Sequence, residues 1–387
     1  MKKVYLDHAA TTPMRAEVID KMSDTMCQVY GNPSSSHSFG RVAKSLVESA
    51  RKTIAKLLNV TAAELVFTSG GTEANNLVLI SAVRDLGVQR IISSRIEHHA
   101  VLHTIDYLKD SFNIEVDYVD LNANGQVDFQ HLESLLKASD VKTLVSLMHI
   151  NNEVGTILDL RKTGQLCKTY NALFHSDTVQ SVGHYDLDLQ NLSVDFISVS
   201  AHKFHGPKGV GVLYAKKQSG LKAIIHGGEQ ERGLRAGTEA VHNIVGFEEA
   251  IKQAYANLDT DKKYISELKL YFVNQLQQTI PQVKFNAESD GLDAAYTIVN
   301  IALPLPAEKA SIILFQLDLN GIACSRGSAC QSGSQKGSHV LEHILSPDDL
   351  KSVSLRFSFS RYNTKEDIDY TVSCLKRLAE SEAKVKH

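Results

Sequence analysis

Short apolar runs of strand length alternate with helix-like stretches through the first half of the chain. Two helical patterns, over 41–58 and 73–83, place apolar residues at three- and four-residue intervals. The strand-like runs cover 65–67, 90–93, 116–119, 143–149, 173–175, 196–199 and 210–214. This alternation favours an α/β architecture with a mostly parallel sheet flanked by helices, whose ligands bind beyond the carboxyl ends of the strands. Function is therefore expected in the loops that follow these strands.

The last third of the chain has a different pattern. Residues 241–279 are rich in Ala, Leu, Lys and Gln and predict a long helix that joins two domains. Beyond it, strand-like runs at 283–285, 297–301 and 352–359 combine with helical stretches at 308–319 and 365–378, which is an α+β pattern. A second, smaller domain is therefore expected to begin near residue 260.

Charge and hydropathy exclude several classes of function. The 387 residues carry 41 basic and 44 acidic side chains, a formal charge of −3, which argues against a nucleic-acid partner. Apolar runs stay well short of the ~18 residues of a membrane span, and Asp7 and His8 interrupt the start before a secretory signal forms. The five cysteines are scattered and odd in number, which suits reduced thiols. We expect a cytoplasmic protein without membrane contact.

The first candidate site is the segment 67–73, which runs from a strand through a glycine-containing turn into a helix. The unpaired N–H groups and the positive end of the helix dipole favour an anion such as phosphate near Gly71 and Thr72. Taken alone, a helix N-cap at Ser69 or Thr72 explains the segment more simply.

The second candidate site is Asp177, which closes a strand-like run, together with Gln180 three residues later. An ionised carboxylate there can face a protonated ring nitrogen of a heterocycle, and the amide can donate to a neighbouring ring oxygen. By itself, an Asp at a strand end is more often a turn former.

The third candidate site is Lys203, which follows an apolar strand and precedes a Gly-Pro-Lys-Gly turn. A partly desolvated amine at this position can form a Schiff base with a carbonyl compound. Ser200 and His202 beside it can hold an anionic group. The alternative, a surface lysine in a loop, is less common directly after an apolar strand.

These sites, with further segments in the same order, closely resemble pyridoxal-phosphate enzymes of the class V aminotransferase family, specifically cysteine desulfurases of the NifS/IscS type. The resemblance covers nearly the whole chain. The segments that carry it are 5–13, 30–37, 68–73, 97–101, 149–155, 177–180, 199–211, 231–238, 327–330 and 355–358.

The resemblance implies the type I fold of pyridoxal-phosphate-dependent transferases and a homodimer. A large α/β domain that binds the cofactor would span 16–260. A small α+β domain would combine 1–15 with 261–387 and would carry the loop of the catalytic cysteine.

The resemblance also implies a role for each residue of the site. Lys203 would form the Schiff base with pyridoxal 5'-phosphate, His98 would stack on its ring, and Asp177 would pair with the ring nitrogen. Either Lys203 or His98 would remove the α-proton of the substrate. Arg356 would clamp the substrate carboxylate in a bidentate pair. The remaining positions are Gln180 at the phenolic oxygen, Asn152 near the substrate, and Gly71, Thr72, Ser200 and His202 at the phosphate, with Thr238 reaching in from the partner subunit.

Cys330 determines which reaction the resemblance implies. Its thiolate would attack the sulfur of L-cysteine held by the cofactor, retain it as a persulfide and pass it on, leaving L-alanine. The acceptor would be an iron–sulfur scaffold, a tRNA-thiolation factor or a small thiol, and the sequence does not distinguish these. Arg326 stands where relatives usually have Ser, and Glu229 and Gln230 interrupt a usual glycine-rich run.

Three alternatives remain open at this point. A selenocysteine lyase or a plain aminotransferase would use the same cofactor, and a non-catalytic scaffold would keep only the fold. A zinc site formed by Cys324, Cys330, His339 and His343 is disfavoured because the spacings miss the usual pattern. His99 and His103 are expected to pack or face solvent, so no metal is predicted.

Overall fold

The computed structural model describes residues 2–327 and 337–384. The strands are β1 (Val4–Tyr5), β2 (Leu65–Thr68), β3 (Arg90–Ser93), β4 (Glu115–Tyr118), β5 (Thr143–Ser146), β6 (Leu173–Asp177), β7 (Phe196–Ser200), β8 (Gly211–Ala215), β9 (Lys284–Phe285), β10 (Ile298–Pro306), β11 (Ile322–Ala323) and β12 (Ser352–Ser358). The helices are α1 (Ala16–Gln28), α2 (Ser38–Leu57), α3 (Gly71–Arg84), α4 (His99–Phe112), α5 (Phe129–Lys137), α6 (Leu160–Thr169), α7 (Val241–Ala256), α8 (Leu258–Thr279), α9 (Ala310–Leu319), α10 (His339–Ile344) and α11 (Lys365–Lys384).

Seven strands form the main sheet, in the order β2-β8-β7-β6-β5-β3-β4. β8 runs antiparallel to its neighbours β7 and β2, and the remaining pairs are parallel. The carboxyl ends of β2, β6 and β7 therefore lie at the same edge of the sheet, which brings the loops after residues 68, 177 and 200 together. The predicted α/β architecture with a mostly parallel sheet is confirmed.

Both faces of this sheet are buried, as expected for a parallel sheet covered by helices. Along β7, Ile197 and Val199 pack into the core that includes α1, α2 and α7. Phe196 points to the opposite face and packs with α3 and α4. The two-residue alternation places each side chain on a defined face and keeps the register of the sheet fixed.

A second core surrounds the antiparallel sheet β12-β10-β9, against which α8 and α11 pack. Val4 and Leu6 belong to this core, because β1 pairs in parallel with β11. The first residues of the chain thus pack with its last third. The proposed domain bounds, 16–260 and 1–15 with 261–387, stay a prediction.

The single long helix predicted over 241–279 is wrong, because the structure divides this stretch into α7 and α8. Asn257 separates them with φ −110° and ψ 9°, and its side chain donates to the Gln253 carbonyl. Asp259 and Asp261 lie in the first turn of α8, where negative charge stabilises a helix start. Among the described residues, the helices are too short or too polar to cross a membrane.

Candidate active site

The turn after β2 leads directly into α3, and the first residues of this helix border a cavity. Gly70 has φ +155°, a conformation that favours glycine, and α3 begins at Gly71 without a side-chain cap. The N-cap predicted at Ser69 or Thr72 is therefore wrong. A Cβ on Gly71 would lie 2.6 Å from the Val179 side chain, so this backbone needs glycine. The first N–H groups of α3 are left for an anion.

Asp177 ends β6 and is almost completely buried. Its Oδ1 accepts from the Val179 N–H at 3.0 Å and its Oδ2 accepts from Asn75 Nδ2 at 2.7 Å. These two donors fix the plane of the carboxylate. Gln180 lies beside it, and its Nε2 donates to the Ala9 carbonyl at 2.9 Å.

Lys203 follows β7 in a short 3-10 turn, Ala201–Lys203. Its Nζ donates to the carbonyl oxygens of Ala9 and Ala10 at 2.6 and 2.9 Å. The neighbouring His202 contacts Thr11 Oγ1 through Nδ1 at 3.1 Å. Burial, together with the positive charge of Lys203, lowers the pKa of His202 to about 4. The ring is therefore neutral at physiological pH, and it adds polarity to the site without charge.

His98 lies directly before α4 and caps this helix, because its Nδ1 accepts from the Ala100 N–H at 3.1 Å. An accepting Nδ1 places the proton of the neutral ring on Nε2. Burial lowers the pKa of His98, although the negative charge of Asp177 opposes this effect. The imidazole is thus held neutral and in one orientation at the cavity.

Arg356 lies in β12 and is 1% exposed. Its Nη2 donates to Asp7 Oδ1 and its Nη1 donates to the Asn152 carbonyl, each at 2.7 Å. The guanidinium plane is therefore fixed by two partners from distant parts of the chain. Sequence analysis missed Asp7, although the N-terminal segment that contains it contributes to the resemblance.

These elements enclose a cavity of about 200 Å³. Of the predicted site residues that the structure describes, all but Thr238 line it: Gly71, Thr72, His98, Asn152, Asp177, Gln180, Ser200, His202, Lys203 and Arg356. Thr238 is exposed and does not line the cavity of its own chain. Cys330 lies outside the described residues. Sequence analysis also missed Ala9, Ala10 and Asn75, which line the cavity.

A larger cavity of about 680 Å³ lies at the opposite edge of the main sheet, near Lys168 and Lys216. It contains no residue of the predicted site. In residues 2–327 and 337–384, no group of three or more His, Cys, Asp or Glu side chains is placed to hold a metal ion. Cys324 follows β11, packs against the second core, and has a pKa raised by burial. Its sulfur is a thiol at neutral pH rather than a reactive thiolate.

The polar groups of the smaller cavity fit pyridoxal phosphate. The open start of α3 suits a phosphate, and the glycine backbone at Gly71 allows a close approach. The buried Asp177 carboxylate suits a protonated ring nitrogen, and the Lys203 amine suits an aldehyde. All of these groups face the same small volume.

The family model described as "Aminotransferase class-V" matches residues 4–371. "Cysteine desulfurase IscS" of Dictyoglomus turgidum is 41% identical over 382 residues, covering 98% of this chain and 95% of that protein. "Putative cysteine desulfurase IscS 1" of Bacillus subtilis is 41% identical over 373 residues, with 95% and 96% covered.

Solved structures give the same result. A "NifS-like protein" superimposes with a TM-score of 0.89 at 34% identity, covering 98% of this chain and all of the other. "SspA in complex with cysteine" superimposes with a TM-score of 0.77 at 31% identity, with 94% and 100% covered. The predicted resemblance is confirmed, and the chain belongs to the class V aminotransferase family, among the cysteine desulfurases of the NifS/IscS type.

Proposed function

We propose that this pyridoxal-phosphate-dependent cysteine desulfurase converts L-cysteine to L-alanine and carries the released sulfur as a persulfide on Cys330. The observation that supports this most is the meeting of Lys203, Asp177, His98 and Arg356 around one cavity of about 200 Å³. A scaffold that only bound a partner would have no need for a half-buried amine, a buried carboxylate and a buried guanidinium around one small volume. The names of the relatives favour cysteine desulfurase over a selenocysteine lyase or a plain aminotransferase.

Residues of the main sheet would hold the cofactor. The start of α3 at Gly71 and Thr72, with Ser200 and His202, would bind its phosphate. Asp177 would face the ring nitrogen, since its carboxylate is oriented by Asn75 and Val179. When bound, pyridoxal phosphate supplies an electron-withdrawing ring that stabilises negative charge at the substrate α-carbon. Lys203 would form the covalent link to its aldehyde.

Proton transfer is best assigned to Lys203 Nζ. Both Lys203 and His98 line the cavity, and either could in principle take the α-proton. His98 already uses Nδ1 to cap α4, so its Nε2 carries the ring proton and cannot accept another. Lys203 Nζ lines the same cavity and would take the α-proton. His98 would then serve to stack against the cofactor ring.

The substrate would be held and attacked from the opposite side of the cavity. Arg356 would bind the α-carboxylate, near Asn152. Cys330 would approach within the segment bounded by Gly327 and Ser338. Ser338 Oγ donates to Oε2 of the buried Glu153, and Gly327 lies beside the same carboxylate, since a Cβ added to it would be 3.2 Å from Oε2.

We further propose a cytoplasmic homodimer that delivers sulfur to a protein acceptor. The exposure of Thr238 supports its proposed role, since this side chain is accessible to a second subunit. The four cysteines of the described residues are free thiols, as in a reducing compartment. The names of the relatives favour an iron–sulfur scaffold as acceptor, and a tRNA-thiolation factor remains the alternative.

Two variants test the proposal in assays of alanine and sulfide release from L-cysteine, with a dithiol present to reduce the persulfide. Lys203→Ala should lose the borohydride-reducible adduct with pyridoxal phosphate and all turnover. Cys330→Ser should keep that adduct, but it should lose persulfide labelling and sulfide release. Cys324→Ser is the matched control and should behave like the parent, because this thiol is buried and protonated. Parent-level sulfide release by Cys330→Ser would refute the role of Cys330.

A further inference from the structure

The N-terminal segment 7–10 contacts both sides of the active site, although the established chemistry gives it no role. Its backbone carbonyls at Ala9 and Ala10 accept from Lys203 Nζ. Its Asp7 carboxylate contacts the guanidinium of Arg356. One short stretch of chain thus contacts the amine proposed to bind the cofactor and the cation proposed to bind the substrate.

Asp7 Oδ1 accepts two hydrogen bonds at once. Arg356 Nη2 donates to it at 2.7 Å, and Ser325 Oγ donates to it at 2.8 Å. Ser325 also exchanges backbone hydrogen bonds with Arg356, at 3.1 and 2.7 Å. Asp7 itself is fixed by a parallel bridge to Ser358. The carboxylate therefore sits in a rigid frame rather than on a free chain end.

The orientation of Arg356 follows from these contacts. A guanidinium has five N–H donors, of which Asp7 and the Asn152 carbonyl engage two. Nε is buried and has no hydrogen-bond partner among residues 2–327 and 337–384. Three donors remain for a third acceptor, and the side chain lines the cavity. A buried guanidinium without a negative partner would be costly, so Asp7 also stabilises the charge.

We propose that Asp7 is a positioning residue for the substrate. It holds the Arg356 guanidinium in the plane in which the free N–H groups receive the α-carboxylate of the amino acid. This inference rests on the proposed function, which assigns the α-carboxylate to Arg356. The inference gives the N-terminal segment a role in substrate selection. It also implies that the affinity for ligands without a carboxylate does not depend on Asp7.

The experiment compares two amines that differ only in the carboxylate, L-alanine and ethylamine. Each is titrated into the holoenzyme while the absorbance of the bound cofactor is followed. Asp7→Asn keeps the size of the side chain and removes its charge. It should weaken L-alanine binding about tenfold, the effect of losing one charge-assisted hydrogen bond, and should leave ethylamine binding unchanged. In turnover, KM for L-cysteine should rise by a similar factor while kcat stays near the parent value.

Tyr5→Phe, two residues before Asp7, is the matched control. The Tyr5 hydroxyl donates to the carbonyls of Asp7 and Thr11, so its removal loosens the N-terminal turn without touching the carboxylate. This variant should bind both amines like the parent. Asp7→Glu, which retains the charge but displaces it by one methylene, replaces Asp7→Asn if the latter does not fold, and the same loss of selectivity is expected.

Arg356→Lys separates the failure of this inference from the failure of the proposed function. One outcome is that Arg356→Lys loses the preference for L-alanine over ethylamine while Asp7→Asn keeps it. In that case Arg356 binds the α-carboxylate as proposed, and the role of Asp7 is wrong. If Arg356→Lys keeps the preference, the clamp and the role of Asp7 are both wrong. Equal weakening of L-alanine and ethylamine by Asp7→Asn would show that Asp7 only stabilises the fold.

Discussion

The active-site cavity has two walls that the chain builds in different ways. The cofactor wall consists of residues that end or closely follow strands of the seven-stranded sheet: Gly71, Thr72, Asp177, Ser200 and Lys203. The substrate wall is formed by Asn152, in the loop after β5, and Arg356, with Asp7 and Ser325 supporting Arg356 from behind.

The difference lies in what fixes each wall. Continuous ladders of backbone hydrogen bonds join β5, β6 and β7 beneath the cofactor wall. The substrate wall depends on isolated bridges, Asp7 with Ser358 and Ser325 with Arg356, and on ion pairs between side chains. We infer that the position of the cofactor is set by the sheet, whereas the position of the substrate is set by a few side chains. Changes to the two walls should therefore have separable effects.

The largest expected effect concerns a buried ion pair behind the cofactor wall. Arg51 donates to both carboxylate oxygens of Glu231 at 2.7 and 2.8 Å, and Glu231 also accepts from the Phe67 N–H, just before the phosphate turn. Arg51→Met leaves the carboxylate buried without a cation, which should lower the free energy of unfolding by about 3–5 kcal/mol. Urea denaturation of the holoenzyme measures this loss.

The control for Arg51→Met is Lys137→Met, which breaks the exposed pair with Glu133 on α5. The stability of this control should match that of the parent, since exposed pairs contribute little. If Arg51→Met were as stable as Lys137→Met, the buried ion pair of Arg51 and Glu231 would not stabilise the cofactor wall. The proposed difference between the two walls would then be wrong.

The same contrast explains which features sequence could predict. Asp177 and Lys203 were found because each ends an apolar run, and the topology of a parallel sheet gathers such ends. Asp7 and Arg356 lie 349 positions apart, and no local pattern predicts that they pair. The N-cap of α3 was missed because Ser69 and Thr72 are common caps, whereas the structure uses Gly70. The break at Asn257 was missed because both flanking segments are strong helix formers.

The second prediction tests the cofactor wall through its chemistry. Asp177→Asn replaces an ionised acceptor with a neutral amide that can no longer stabilise a protonated ring nitrogen. We expect kcat for L-cysteine to fall by about 100- to 1,000-fold, the usual effect of removing one preorganised electrostatic group. Turnover is measured at saturating pyridoxal phosphate. Arg235→Gln, which removes the ion pair with Glu73 outside the cavity, is the control, and its kcat should change far less. A fall of less than tenfold in Asp177→Asn would contradict the role of Asp177.

The third prediction uses pH to probe the sheet beneath the cofactor wall. His175 is fully buried in β6, where its ring nitrogens contact Ser146 and Ser198, and burial lowers its pKa to about 4. The unfolded chain, with an ordinary pKa of about 6.5, binds this proton first as pH falls. The free energy of unfolding should therefore fall between about pH 6.5 and pH 4, and His175 should account for about 3 kcal/mol of that change.

His175→Gln removes this titration, so its unfolding free energy should depend less steeply on pH over the same window. Denaturation curves at several pH values measure the slope. His226→Gln, at an exposed position, should keep the slope of the parent. Equal slopes for His175→Gln and the parent would mean that the buried imidazole does not resist protonation.

The smallest effect is expected at Ser338, which follows the segment of Cys330 in the chain. Ser338 donates to the buried Glu153 and also accepts from the Leu341 N–H as the N-cap of α10. Ser338→Ala should cost about 1 kcal/mol of stability through the lost cap. It should also slow persulfide formation, because the segment end is no longer tied to Glu153. Asp128→Ala removes the N-cap of α5, far from the cavity, at a similar cost in stability. Thermal unfolding and the rate of persulfide labelling on both variants separate the two effects. Equal rates of persulfide labelling in Ser338→Ala and Asp128→Ala would contradict this prediction. The contact between Ser338 and Glu153 would then stabilise α10 without affecting the reaction of Cys330.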